Sequence, residues 1–293
     1  MTALFIGVVS YPASRFAVST GPDGLGHTLA ARLSQAGIDS TVEVNATNAY
    51  EPPMLAIDGR MVARSLHEQL NVERRWAAFL RQGPDPAGRV RGFGARGVRR
   101  CREWLRYIRP WHGAERDSAG SRRIRRLINI ELSHFSLMRS SVAAGSDWTL
   151  IIEDDASCRD LEDCARGLIG LMAQGTRQPA YVNVSQSFNA TDLGISHLIA
   201  PVPGASWQGS ASRAVMASTR PVTNTVCAIL YRTCFVRDLL AVADAMPLDP
   251  VIPIDWKLNL ALMHMFEQGD LTAGDCWTVM PAPIDQLSMV AQG

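Results

Sequence analysis

Lysine is nearly absent. Lys257 is the only one in 293 residues, so 28 of the 29 basic side chains are arginine. A phosphate loop of the G-x-x-x-x-G-K-[ST] kind needs a lysine in a place where this chain has none, which excludes the commonest phosphoryl-transfer design. The bias toward arginine suits a GC-rich bacterial genome. Cysteines stand at 101, 158, 164, 227, 234 and 276, with no C-x-x-C pair and no zinc-finger spacing to histidine. They read as reduced, mostly buried thiols of a cytosolic protein. No apolar run reaches the length of a spanning helix. The opening MTALFIGVVSYPASRF lacks a basic leader and a small-residue cleavage site, so its apolar run is expected to be a first strand.

What is present suits a core. Hydrophobic residues make up 47% of the chain and the formal charge is +1, which fits a single domain over 1–293. Residues 3–9 read as a strand, 24–37 as a helix and 38–45 as a strand, the opening of an α/β sheet. Helical spacing returns over 61–81, 122–145, 161–175, 234–246 and 253–266. Strands are expected at 146–156, 179–188 and 225–232, with a short one in the tail. Thr233 is expected to cap the helix after it. Residues 189–222 show little periodicity and read as a long flexible segment, a candidate lid that would exclude water.

Positive charge is uneven. Thirteen arginines fall within 89–126, with Trp104, Tyr107 and Trp111 among them. The stretch 83–126 reads as a basic helix-and-loop insertion. A solvated basic face, a grip on an anionic membrane or anionic substrate, and nucleic-acid binding all fit such a stretch, the last being the least expected.

The strongest chemical signal is LIIEDDA, 150–156. An apolar strand runs directly into Glu153, Asp154 and Asp155. In α/β sheets the strand middles are buried and the C-terminal ends emerge at the binding edge. Alternation turns Glu153 and Asp155 to one side and Asp154 to the other. Adjacent anions repel, and a divalent cation completed by phosphate oxygens relieves that repulsion. A helix-capping carboxylate with solvated neighbours is the plainer alternative.

These residues, with Glu131-Leu132-Ser133-His134 on the preceding helix, resemble glycosyltransferase family 25. TVCAILYRTCFVRDLL, PIDW at 253–256 and PAPIDQ at 281–286 are similar to later elements of that family and come in its order. The resemblance covers about 120–290. It implies a GT-A fold, a Rossmann-like mixed sheet flanked by helices, here with the arginine-rich insertion. It also implies transfer of a sugar from a nucleotide-sugar donor, a UDP-sugar first, to a glycan or glycolipid of the cell envelope, with inversion. Mn²⁺ or Mg²⁺ would be held by Asp155 and Glu153. Ser10, Arg15, Ser133, His134 and Asp154 would meet the nucleotide sugar, and Asp255 would be the base. His264 would join the metal only if its helix packs on the carboxylates. The expected location is the cytoplasm, peripheral to the inner face of the membrane. A non-catalytic basic module on an anionic surface and a metal-dependent nucleotidyl or phosphoryl transferase are the alternatives.

Overall fold

The computed structural model describes residues 2–10, 21–45, 57–80, 119–174, 178–186, 190, 194–209, 213–223, 226–246 and 251–287. Arg15 and the greater part of the arginine-rich insertion lie outside the described residues.

The expected opening is realised as β1 (Ala3–Val9), α1 (Leu25–Gln35) and β2 (Asp39–Asn45). Then come α2 (Gly59–Leu80) and α3 (Ala119–Ala143), so the last arginines of the insertion open α3. The acidic strand is β3 (Trp148–Glu153), followed by β4 (Ala156–Cys158), α4 (Leu161–Met172) and β5 (Tyr181–Asn183). The chain continues through β6 (Ile199–Pro201), β7 (Ala214–Ser218), β8 (Ala228–Arg232) and α5 (Thr233–Asp244). It ends with α6 (Ile254–Gln268), β9 (Cys276–Met280) and β10 (Ile284–Gln286).

Eight strands form one mixed sheet in the order β2-β1-β3-β8-β5-β9-β7-β6. β1 is parallel to β2 and β3, β8 is antiparallel to both β3 and β5, and β5 is parallel to β9. Both faces are covered, as a central strand without polar alternation requires. Leu150 and Ile152 of β3 join a cluster with Leu29 and Leu33 of α1 and Leu168 and Leu171 of α4. Ile151 points the other way, into a cluster with Leu137 of α3, Val236 of α5 and Leu258 of α6. Gly7 lets α3 rest directly on β1. A Cβ there would stand 2.8 Å from Ile151 Cδ1 and 3.1 Å from Leu137 Cβ. Among the described residues no helix is long and apolar enough to cross a membrane.

Three expectations are corrected. The segment 189–222 carries two strands: β7 pairs antiparallel with β9 and with β6, extending the sheet to its edge. It is also anchored on α4. Arg213 Nε donates to buried Asp163 Oδ2 at 2.9 Å, and Trp207 Nε1 donates to Asp163 Oδ1 at 3.2 Å. Of the strand expected over 179–188, the described part, 179–186, narrows to Tyr181–Asn183. Thr233 does not cap α5. Its N-cap is Arg232, with no side-chain cap, because Thr233 Oγ1 bonds Thr149 Oγ1 at 2.8 Å instead.

Candidate functional site

Parallel register brings three strand ends to one rim of the sheet. Val9 is opposite Asn45 on one side and Glu153 on the other. β8, running antiparallel, begins at the same rim, where Glu153 N–H donates to the Cys227 carbonyl at 2.8 Å. The residues just past these ends are therefore gathered by topology: Ser10, Asn45, Glu153, Asp154, Asp155 and Cys227.

Asp154 turns toward β1. Ser10 Oγ donates to Asp154 Oδ2 at 2.6 Å, and Asp154 N–H donates to the Val9 carbonyl at 2.9 Å. Glu153 and Asp155 turn to the other side, as alternation suggests, although β3 ends at Glu153 and a turn follows. Both meet Gln286: its Nε2 donates to Glu153 Oε2 at 3.4 Å and to Asp155 Oδ2 at 3.2 Å. Gln286 arrives there because β10 pairs antiparallel with β4, placing it opposite Ala156. Arg213 steadies the approach to β10 by donating to the carbonyls of Pro281 and Ala282 at 2.6 and 2.9 Å.

The helix α3 supplies the wall above the acids. His134 is 1% exposed, and its Nε2 lies 3.6 Å from Glu153 Oε1 without a hydrogen-bond partner. Ser133 Oγ faces Asn45 Oδ1 at 3.5 Å. One turn earlier, Glu131 Oε1 accepts from Lys257 Nζ of α6 at 2.5 Å. Burial raises the Glu131 carboxyl above its ordinary 4.5, and the Lys257 ammonium only partly offsets this. Cys227 Sγ lies 4.0 Å from Asp155 Oδ1. Burial first, then the charges of Glu153 and Asp155, push this thiol well above its usual range, so it stays protonated.

Asp255 lies in the first turn of α6, whose N-cap is Pro253, so it is not the capping residue. The second turn of α6 is tied through buried Asn259 to Thr223, accepting from its N–H at 2.9 Å and donating to its carbonyl at 2.7 Å, and Thr223 Oγ1 in turn donates to Asn183 Oδ1 at the end of β5 at 3.3 Å. His264, farther along α6, is exposed, whereas Asp154 and Asp155 are buried, and no contact joins it to them.

Among the described residues, no arginine or lysine pairs with Glu153, Asp154 or Asp155. Asp154 and Asp155 are nonetheless buried. Two carboxylates converging without a counter-charge are the donor set a hard cation accepts, with phosphate oxygens filling the remaining positions. Among the described residues no group of three or more His, Cys, Asp or Glu side chains is placed to hold a metal ion by itself. The structure thus brings together Ser10, His134, Glu153, Asp154 and Asp155. It adds Gln286, whose only sequence signal was the glutamine of PAPIDQ, and Asn45 and Cys227, which had no signal beyond standing at a strand end. No protein-family model and no curated protein matches the chain.

Proposed function

We propose that the chain is a metal-dependent glycosyltransferase of GT-A type. It moves a sugar from a nucleotide-sugar donor to a hydroxyl of a glycan or glycolipid, with inversion. The observation that carries the reading is the Glu153–Asp155 pair, two carboxylates on one side of a strand end that pair with no arginine or lysine among the described residues and share the neutral donor Gln286. The resemblance of 120–290 to glycosyltransferase family 25 supports it, as does a mixed sheet flanked by helices, the coarse architecture such an enzyme needs.

Glu153 and Asp155 would hold Mn²⁺ or Mg²⁺, which when bound stabilises the charge that develops on the leaving nucleoside diphosphate. Asp154, one oxygen fixed by Ser10, offers the other to a ribose or sugar hydroxyl. His134 presents its unpartnered Nε2 beside Glu153 and orients the donor. Asp255 accepts the proton of the attacking hydroxyl as the new glycosidic bond forms and the bond to the diphosphate breaks. The reaction would take place at the cytoplasmic face of the membrane when the acceptor is a glycolipid.

Thermal melts with UDP, GDP and CDP, each with and without Mn²⁺, test the reading. One nucleotide is expected to raise Tm only when metal is present, by the equivalent of about 2.7 kcal/mol at a hundredfold excess over Kd. No response to any pair sinks it. In a protein that responds, Asp255→Asn should keep the metal-dependent shift and lose about 10²–10⁴-fold in donor turnover. Normal turnover removes Asp255 from the role of base.

A further inference from the structure

We propose that the Glu131–Lys257 ion pair is a positioning clamp that sets the spacing and rotation of α6 against α3 at the acid rim. The consequence for catalysis rests on the reading above, whereas the clamp itself is read from geometry.

The only lysine of the chain is spent inside the protein. Lys257 is 4% exposed and Glu131 3% exposed, and they meet at 2.5 Å across 126 residues of sequence. Stability is a poor account of this pair. Its carboxyl is driven toward the neutral form by burial, and its second oxygen, Oε2, has no partner. Apolar side chains of similar volume generally replace a buried ion pair without loss of stability. What apolar contacts do not supply is a fixed distance. A short charge-assisted hydrogen bond holds donor and acceptor in one geometry, and setting register is the best-attested use of buried polar pairs.

The pair stands where register matters. Glu131 is one turn from His134 on α3, so the two share a face. Lys257 follows Asp255 by two residues, about 200° around α6. Holding Lys257 against α3 therefore decides which way Asp255 points. A 20° rotation of α6 would carry the Asp255 Cα by roughly 0.8 Å on the helix cylinder, and its carboxylate farther. A misplacement of about 1 Å at a reacting group can cost about 10²-fold in rate.

The test compares wild type with Lys257→Met, Glu131→Leu and the double variant. Lys257→Met leaves a buried carboxylate unpaired and should melt lower. The double variant removes both charges and should melt at or above wild type. It should bind the nucleotide with Mn²⁺ within about threefold of wild type, because the acids are untouched, yet turn over donor about 10²-fold more slowly at similar KM. In the absence of any ligand, amide exchange in the first two turns of α6 should rise in the double variant although Tm does not fall. Should the double variant not fold, Glu131→Asp shortens the bridge by one methylene and Lys257→Arg lengthens it. Each alone should slow turnover, and the two together should restore it. A folded double variant with wild-type turnover and wild-type exchange overturns the clamp. If wild type itself ignores nucleotides, the transferase reading fails while the exchange measurement still decides the clamp.

Discussion

The two rims of the sheet treat polar groups differently. At the rim where β1 and β3 begin, Ser146, Asp147, Thr149 and Thr233 are bonded to one another or to the backbone. Asp147 Oδ2 accepts from Ala3 N–H at 2.9 Å, and its carbonyl accepts from Thr233 N–H at 3.1 Å. Thr233 Oγ1 bonds Thr149 at 2.8 Å and Ser146 at 3.2 Å. At the opposite rim the accounts stay open. Of the five buried side-chain polar atoms without a partner among the described residues, three lie at or beside the acids: Glu131 Oε2, His134 Nε2 and Gln286 Oε1. Buried polar atoms are nearly always satisfied, and each exception calls for a reason. Exceptions concentrated beside carboxylates that pair with no arginine or lysine among the described residues are what a functional site leads one to expect.

That contrast can be broken from either side. Asp155→Asn removes one charge of the triplet, and metal-dependent nucleotide affinity, measured by calorimetry, is expected to fall about 10²-fold or more. Tm should hold or rise, because like charges at the rim repel. An unchanged affinity would remove Asp155 from the metal, and a large fall in Tm would make it a structural residue like those of the other rim. Thr233→Val is the mirror experiment. It leaves Thr149 Oγ1 in the core without its bonded partner and is expected to cost about 1–3 kcal/mol of stability in chemical denaturation. Nucleotide affinity should not move. If it did, the two rims would be coupled and the contrast lost.

The pattern of legibility follows the same division. The apolar runs of β1 and β3, each buried on both faces, were readable because they are short, rich in branched residues and bounded by polar or turn residues. The split of Glu153 and Asp155 from Asp154 was readable from strand alternation. β7 was not. Its AVMAS sequence is short and composed mainly of small residues, and it is a strand because β9 lies beside it, with Ser218 opposite Cys276. Thr233 had the right residue type for a cap, yet a buried threonine within reach outcompeted the helix amides. Gln286 lies 131 residues from Asp155, and only the β4–β10 pairing brings it there. Local chemistry was written locally, whereas the partners that complete the site came through long-range pairing, which no window of sequence contains.

The smallest expected effect asks whether the open accounts at the acid rim carry a measurable energy. Burial raises the folded-state pKa of Glu131 above the 4.5 of an exposed glutamate. A carboxyl raised in this way binds its proton more tightly in the folded than in the unfolded chain. The resulting stabilisation is fully present below the unfolded value and is lost as pH rises through the folded one. Glu131→Gln has no proton to bind, and every other titrating group is common to both proteins. The difference in Tm, wild type minus variant, should therefore grow more positive as pH is lowered from about 8 to about 4. A difference that instead shrinks on acidification would mean that Lys257 holds the carboxyl below its ordinary value. The pair would then stabilise the fold, and the acid rim would lose one of its unmet costs.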